Sequence, residues 1–329
     1  MNLTSQNNEK DNEPMENKEW KLIEKLLMSS QREQRRARRW GIAFKLLFFV
    51  YLFALLFLFS SSPFDGGKMV HTGPHTAVVK LQGLIAEDEV SSAANIISGL
   101  QAAFKDPNTQ GVILAINSPG GTPVQAGYIY DEIKRLRSLH SDTPLYAVIS
   151  DMGASGGYYV ASAADQIYAD KASLVGSIGV ISSGFGFVDA MEKLGIERRL
   201  YTAGENKAFL DPFSPQKESE EAFWEDVLAV THQQFIEQVK AGRGDRLVET
   251  PELFSGLIWS GEQALELGLI DGLGSASYVA REIIGQQEMV DFTPRRSPFE
   301  EFAEQFGVSA GTQLGRVLGL DGGLKLVAQ

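Results

Sequence analysis

The chain has 329 residues, of which 43% are hydrophobic, and it contains no cysteine. This composition excludes a chain that is disordered throughout, disulfide bonds, thiol catalysis and metal sites built from thiolates. The formal net charge is −12, and because residues 1–40 carry nine Lys/Arg against seven Asp/Glu, the remainder carries −14. Such an acidic chain argues against nucleic acid as a partner.

The segment 41–59 is apolar except for Lys45. As a helix it would be about 28 Å long, close to the roughly 30 Å hydrocarbon core of a bilayer. We predict one transmembrane helix at 41–59, with a charged N-terminal segment 1–40 in the cytoplasm and the rest of the chain outside, because positive charge marks the cytoplasmic side. A cleaved secretory signal is the alternative, but a polar lead of about 40 residues is longer than such signals have. The arginines that precede the segment are Arg32, Arg35, Arg36, Arg38 and Arg39.

Residues 60–75 are rich in Gly, Pro and Ser, which predicts a linker. After them, short apolar runs alternate with helical patterns, and this alternation predicts βαβ units and a mostly parallel sheet in an α/β domain. Strands are expected at 76–81, 111–116, 145–149, 167–169, 178–182 and 197–201. Helices are expected at 89–104, 123–139, 155–163, 187–194, 215–241, 262–267 and 276–284.

Ser155 lies in a glycine-flanked turn, Gly153-Ala154-Ser155-Gly156-Gly157, between a predicted strand and a predicted helix. A serine in such a turn can present its hydroxyl and the following N–H to a substrate carbonyl, which is the arrangement of a nucleophile. A second glycine turn, 117–121, follows the strand 111–116 and therefore falls on the same edge of the sheet. The N–H of Gly121 can then join that of Gly156 in an oxyanion hole, although the second turn by itself is also consistent with a tight turn and nothing more.

The general base that would serve Ser155 is harder to assign. None of the four histidines, His71, His75, His140 and His232, is flanked like a catalytic base. A lysine that acts as a base must be desolvated, because its ordinary pKa is about 10.4. Lys207 differs from the other lysines, since the loop 204–213 continues into apolar residues that can be buried, while an ordinary surface lysine is the alternative.

Four blocks occur in order along the chain: NSPGG at 117–121, SDMGASGGYY at 150–159, LVGSIGV at 174–180 and GENKAFLDPF at 204–213. Together they resemble the signal peptide peptidase family of membrane-bound serine proteases, the SppA type with its SohB-like relatives, over residues 76–285. The resemblance implies that Ser155 is the nucleophile and Lys207 the general base. It also implies that the Ser177 hydroxyl orients the lysine, and that Gly121 and Gly156 supply the N–H groups of the oxyanion hole.

The same resemblance implies a ClpP/crotonase-like fold, a spiral of ββα units, in a homo-oligomer where the lysine of one subunit can serve the serine of its neighbour. The expected substrates are hydrophobic peptides such as released signal peptides, with no cofactor and no metal. The expected location is the bacterial inner membrane, with a periplasmic or extracytoplasmic catalytic domain at 76–285 and a C-terminal extension at 286–329.

Two other functions fit parts of the pattern. A crotonase-like acyl-CoA enzyme would use paired backbone donors to hold a thioester enolate, but CoA is not expected on the outer side of a membrane. A non-catalytic membrane scaffold of the same fold would not need a serine and a lysine together.

Overall fold

The computed structural model of the protein describes residues 20, 25, 28, 35, 36, 38–54 and 73–294. The chain divides into two compact units, Met1–Val70 and His71–Gln329. In the first unit, residues 38–54 are helical and their apolar side chains, such as Phe44 and Leu47, are exposed. None of the helices in the described part of the chain has the length and apolar character needed to cross a membrane. Residues 55–59 of the predicted transmembrane helix lie outside the described residues, as do most of 1–40, most of 60–75 and all of 295–329.

The second unit is built on an eight-stranded sheet in which the central strands run parallel. The strand order is β6-β5-β3-β2-β1-β8, with β4 pairing with β3 and with β7. Only β5 and β6 pair in antiparallel fashion within the described sheet. The strands are β1 His75–Gln82, β2 Thr109–Ser118, β3 Leu145–Ala154, β4 Gln166–Ala169, β5 Leu174–Gly176, β6 Ile258–Ser260, β7 Gly272–Leu273 and β8 Met289–Asp291. This architecture confirms the predicted α/β class with a mostly parallel sheet.

The helices lie between the strands along the chain. They are α1 Ala93–Lys105, α2 Pro123–Leu139, α3 Gly156–Ala161, α4 Val188–Lys193, α5 Glu218–Arg243, α6 Gly261–Glu266 and α7 Ala276–Tyr278, which continues as a π-helix over Val279–Ile284. Proline suits the first position of α2, because a backbone N–H there would have no intrahelical acceptor and proline has no N–H.

The sheet is buried on both faces, as expected for parallel strands with helical connections. Successive residues of β2 belong to different clusters: Val112 and Leu114 join the main core, whereas Ile113 joins a smaller cluster on the opposite face with Val279. This alternation follows from the two-residue period of a strand. The carboxyl ends of β2, β3 and β5 therefore extend from a sheet that is packed on both faces.

Two of the predicted strands are wrong. Residues 178–182 and 197–201 are irregular and form no strand. Within the described sheet the pairing of β5 with β6 ends at Gly176 and Ile258, so residues 178–182 find no strand there with which to pair. The short strands β5, β6, β7 and β8 were not predicted, and they form because tertiary packing supplies their partners. The predicted helix at 123–139 is confirmed at both ends, and the one expected at 89–104 begins later, at Ala93.

Candidate functional site

Ser155 occupies the single residue between the end of β3 and the start of α3. Its backbone has φ 50° and ψ −124°, a conformation that residues with a side chain rarely adopt. The turn is held at both of its backbone groups, since its N–H donates to the carbonyl of Gly176 at 2.8 Å and its carbonyl accepts from the N–H of Tyr159 at 2.9 Å. The surrounding fold thus holds a half-buried serine in a strained backbone conformation at the edge of the sheet.

The helix that follows Ser155 is fastened on two sides. The hydroxyl of the buried Tyr158 donates to the carbonyl of Leu269 at 2.7 Å, and burial raises the pKa of this phenol, which therefore stays a hydrogen-bond donor. The ring of Tyr159 packs against Tyr130 at 5.2 Å and against Phe235 of α5 at 5.0 Å between centroids. These contacts fix the orientation of the first turn of α3, and with it the N–H groups next to Ser155.

The glycine turn after β2 lies directly against Ser155. Ser118 is fully buried, and its hydroxyl donates to the carbonyl of Gly83 at 2.6 Å and accepts from the N–H of Gly120 at 3.1 Å. Gly120 has φ 108°, and a β-carbon placed on it would lie 2.7 Å from the Cβ of Ser155. Only glycine fits at this position, so the close approach of the two turns depends on the Gly pair in the sequence.

The N–H groups of Gly121 and Gly156 lie side by side next to Ser155. A parallel β-bridge joins Ile85 to this turn: the N–H of Ile85 donates to the carbonyl of Gly120, and the N–H of Thr122 donates to the carbonyl of Ile85. The N–H of Gly121 takes no part in these hydrogen bonds. The N–H of Gly156 opens α3 and has no intrahelical acceptor. Neither N–H donates to another residue in the described part of the chain. A β-carbon on Gly156 would lie 3.2 Å from the nitrogen of Gly121, and two adjacent free donors of this kind can stabilise an oxyanion.

Ser177 is brought to the same edge of the sheet. It follows Gly176, which pairs directly with Ala154, the residue before Ser155. Its φ is 52°, and its N–H donates to the carbonyl of Leu257 at 2.8 Å. The next residue, Ile178, has its carbonyl 3.0 Å from Nε2 of His232 on α5. The structure therefore places Ser155 and Ser177 at the ends of adjacent strands.

Lys207 is exposed in the single chain. Its side chain makes no hydrogen bond or ion pair with Ser155, Ser177 or any other residue that the structure describes. The expectation that its loop would bury it is wrong for the single chain, because the apolar residues that follow are the ones that pack. Phe209 contacts Phe223 at 5.6 Å and Trp224 at 5.9 Å between ring centroids, whereas the lysine faces solvent.

Helix α5 contacts both the Ser177 segment and the Lys207 loop, but at separate places. His232 contacts the carbonyl of Ile178, while the carboxylate of Glu220 accepts the N–H of Leu210 at 3.1 Å. Twelve residues of helix separate these contacts, which corresponds to about 18 Å along the helix axis. Neither contact was predicted, because a contact between a helix and a distant loop leaves no local pattern in the sequence.

Among the residues described, no group of three or more His, Asp or Glu side chains could hold a metal ion.

Comparison with known proteins assigns the chain to a family. Residues 137–289 match the sequence model of Peptidase family S49. A putative protease of Synechocystis sp. is 32% identical over 198 residues, a match that covers 58% of this chain and 70% of the relative. This chain belongs to peptidase family S49. This membership confirms the predicted resemblance to the SppA-type serine proteases.

Two further relatives of this S49 chain are longer than the matched region. A putative signal peptide peptidase SppA of Enterococcus faecium is 31% identical over 199 residues, covering 60% of this chain and 57% of the relative. A Brucella melitensis protein named Na(+)/H(+) antiporter NhaA is 43% identical over 215 residues, covering 64% of this chain but 29% of that relative. The antiporter name thus describes a protein whose greater part lies outside the match. The family assignment favours the protease over the acyl-CoA enzyme and the non-catalytic scaffold.

Proposed function

We propose that this S49 protein is an endopeptidase that uses Ser155 as nucleophile and Lys207 as general base, with Ser177 orienting the lysine. The observation that carries the proposal is the pair of free N–H groups, Gly121 and Gly156, beside a serine held in a strained turn. Such a pair binds the oxygen of a carbonyl as it gains negative charge, which favours acyl transfer over other reactions of a serine.

In the proposed reaction the Ser155 hydroxyl oxygen attacks a peptide carbonyl while a neutral Lys207 amine takes the hydroxyl proton. The carbonyl oxygen becomes an oxyanion that accepts hydrogen bonds from the N–H groups of Gly121 and Gly156. The protonated lysine then gives its proton to the leaving amine, and the C–N bond breaks to form an acyl-enzyme. Water attacks the ester by the same proton transfers in reverse roles, which releases the acid and restores the serine.

The proposed substrates are hydrophobic peptides such as released signal peptides. Support comes from the Enterococcus faecium relative that carries the signal peptide peptidase name, over the part of its length that this chain matches. An extended peptide would present successive carbonyls at the strand ends where Ser155 lies. Cleavage of apolar peptides, rather than folded proteins, is therefore the activity to assay first.

We propose that the site is completed between copies of the chain in a homo-oligomer with the ClpP/crotonase-like spiral fold. Lys207 is exposed in one chain, and the two contacts on α5 separate its loop from the Ser177 segment by about 18 Å along the helix. The segment between them exposes large apolar side chains, including Ile181, Phe185 and Tyr201, which are more than four-fifths accessible. Exposed apolar groups of this size favour an interface, and a neighbour's surface would supply the desolvation that a lysine base needs.

The proposed location is the bacterial inner membrane, with 41–59 as a single anchor, residues 1–40 cytoplasmic and the catalytic unit extracytoplasmic. The support is the apolar composition of 41–59 and the five arginines that precede it. Alkaline extraction of membranes from expressing cells tests the anchor, because an anchored protein stays in the pellet, and recovery in the supernatant would contradict it.

Labelling with a fluorophosphonate probe tests the proposed nucleophile. The probe should modify Ser155 in the purified full-length protein, as located by mass spectrometry, and Ser155→Ala should lose both labelling and peptide hydrolysis. The matched control is Ser150→Ala, which removes an exposed serine of the same strand and should keep both. Hydrolysis that survives in Ser155→Ala would overturn the proposal.

A further inference from the structure

Leu210 has an unusual backbone conformation close to Lys207. In the described part of the chain, the non-glycine residues with positive φ are Ser155, Ser177 and Leu210, the last with φ 50°. This conformation is unfavourable for a leucine, because of its side chain, and it needs compensating interactions from the surrounding structure. Strained backbone of this kind concentrates at functional sites, and two of the three residues already belong to the candidate site.

Glu220 is the side chain that holds Leu210 in place. It lies in the first turn of α5 and is buried, with a side-chain accessibility of 8%. Its carboxylate accepts hydrogen bonds from the N–H of Leu210 at 3.1 Å and from Nζ of Lys217 at 2.8 Å. The hydrogen bond from Lys217, followed by that from Leu210, lowers the pKa of Glu220, so the group is ionised at neutral pH. A charged acceptor makes a stronger hydrogen bond to an N–H than a neutral one.

The loop is also fastened on the other side of Leu210. The buried carboxylate of Asp211 pairs with the guanidinium of Arg198 at 3.0 Å and accepts the hydroxyl of Ser214 at 2.7 Å. The guanidinium of Arg198 in turn lies 5.0 Å from the ring centre of Phe213. The backbone around Leu210 is therefore held from two directions, although the side chain of nearby Lys207 makes no hydrogen bond or ion pair within the described residues.

We infer that Glu220 is a positioning residue for the general base: by holding the N–H of Leu210 it sets the course of the 207–211 loop and so the place of the Lys207 amine. This inference rests on the proposed role of Lys207. Glu220 does not touch the reacting atoms and acts only through the backbone between Leu210 and Lys207. The proposed role requires an oxygen that accepts the N–H of Leu210, and a glutamine at position 220 also supplies such an oxygen.

Substitution of Glu220 tests the inference, with Glu221 as the matched control. Glu221→Ala removes an equal charge from the exposed neighbour in the same helical turn. We expect Glu220→Ala to lower kcat on a peptide substrate by about tenfold or more, with KM changed by less than about twofold, because a small displacement of a catalytic group lowers kcat steeply. Glu220→Gln should stay within about threefold of the parent, since its carbonyl still accepts the N–H of Leu210.

Hydrogen exchange provides a readout that does not depend on activity. The amide of Leu210 should be protected in the parent protein and in Glu220→Gln, and should exchange faster in Glu220→Ala while the amides of the central strands remain unchanged. If Glu220→Ala does not fold, the activity of Glu220→Gln and the hydrogen exchange of its Leu210 amide test the inference. An alanine variant as active as Glu221→Ala, or a glutamine variant as impaired as the alanine one, would overturn the inference.

The parallel variant Lys207→Ala separates this inference from the proposed function. Full activity of Lys207→Ala would refute the lysine base, and the role of Glu220 would fall with it. Loss of activity in Lys207→Ala together with a fully active Glu220→Ala would refute the role of Glu220 alone.

Discussion

Ser155 and Ser177 stand one residue beyond a directly paired couple, Ala154 and Gly176, on neighbouring parallel strands. The two serines share almost the same backbone angle, φ 50° and 52°. The N–H of Ser155 donates to the carbonyl of Gly176 at 2.8 Å, so the two turns are hydrogen-bonded to each other. A strand pair thus fixes two hydroxyl-bearing residues at one edge of the sheet.

Ser177→Ala should weaken the reaction without abolishing it. We expect kcat to fall by about tenfold and KM to stay within about twofold, because in the proposed mechanism the lost hydroxyl orients the base and does not bond to the reacting carbonyl. Steady-state hydrolysis of a fluorogenic apolar peptide measures both constants. Ser182→Ala, an exposed serine of the same segment, is the control, and an unchanged kcat in Ser177→Ala would remove this residue from the site.

Gly156→Ala should impair the oxyanion hole while the fold survives. The added methyl would lie 3.2 Å from the nitrogen of Gly121 and 3.4 Å from the Cβ of Ala126, which crowds the space in front of the donors without a severe clash. We expect kcat to fall by about 10²-fold, the scale found for loss of one donor. Gly127→Ala is the control, since its new methyl meets nothing within 4 Å. Equal activity of the two variants would argue against a role for the Gly156 N–H.

Mixed oligomers of Ser155→Ala and Lys207→Ala test whether the site is shared. Each variant alone should be inactive, because each lacks one of the two groups. If the lysine comes from a neighbour, the two variants expressed together should regain part of the parent activity, as some interfaces then hold an intact serine and an intact lysine. Activity that remains absent in co-purified mixed oligomers would place both groups in one chain.

Asp271→Asn should destabilise the catalytic unit. The guanidinium of Arg243, only 1% accessible, donates to both carboxylate oxygens of Asp271, at 2.7 and 3.0 Å. Neutralising the aspartate leaves a buried positive charge without a counter-charge, a change that costs about 3–5 kcal/mol in the free energy of unfolding. Urea unfolding at pH 7 measures it. Glu249→Gln, which breaks an exposed pair with Lys240, should cost less than about 1 kcal/mol, and a similar small loss for Asp271→Asn would contradict the prediction.

The same carboxylate gives stability a pH dependence. Burial by itself raises the pKa of Asp271, but the hydrogen bond and charge of Arg243 outweigh it, so the pKa lies below its usual value. Its stabilising contribution is therefore complete above the ordinary pKa of about 3.9 and is lost as the pH falls through the lower folded-state value. The parent protein should lose stability faster than Asp271→Asn below about pH 4, and parallel acid profiles would show that another group is responsible.

The sequence predicts the parts of the fold that local chemistry decides. Helix α2 runs from Pro123 to Leu139 as expected, because a proline opens it and a continuous amphipathic pattern sustains it. Residues 178–182 have the composition of a strand, but no strand in the described part of the chain pairs with them, and the side chain of His232 contacts the carbonyl of Ile178 instead. The two glycine turns meet as predicted because the carboxyl ends of neighbouring parallel strands share an edge. The contact of Glu220 with Leu210 joins a helix to a loop, and no local pattern indicates it.

The exposure of Lys207 in a single chain has a consequence for regulation if the shared site is correct. A newly made copy would carry a serine with no active amine beside it and would be harmless to the peptides around it. A high local concentration of copies would then activate the protein by assembly, and dilution would reverse the activation. Specific activity would in that case rise with protein concentration, like that of a zymogen released by assembly and not by cleavage.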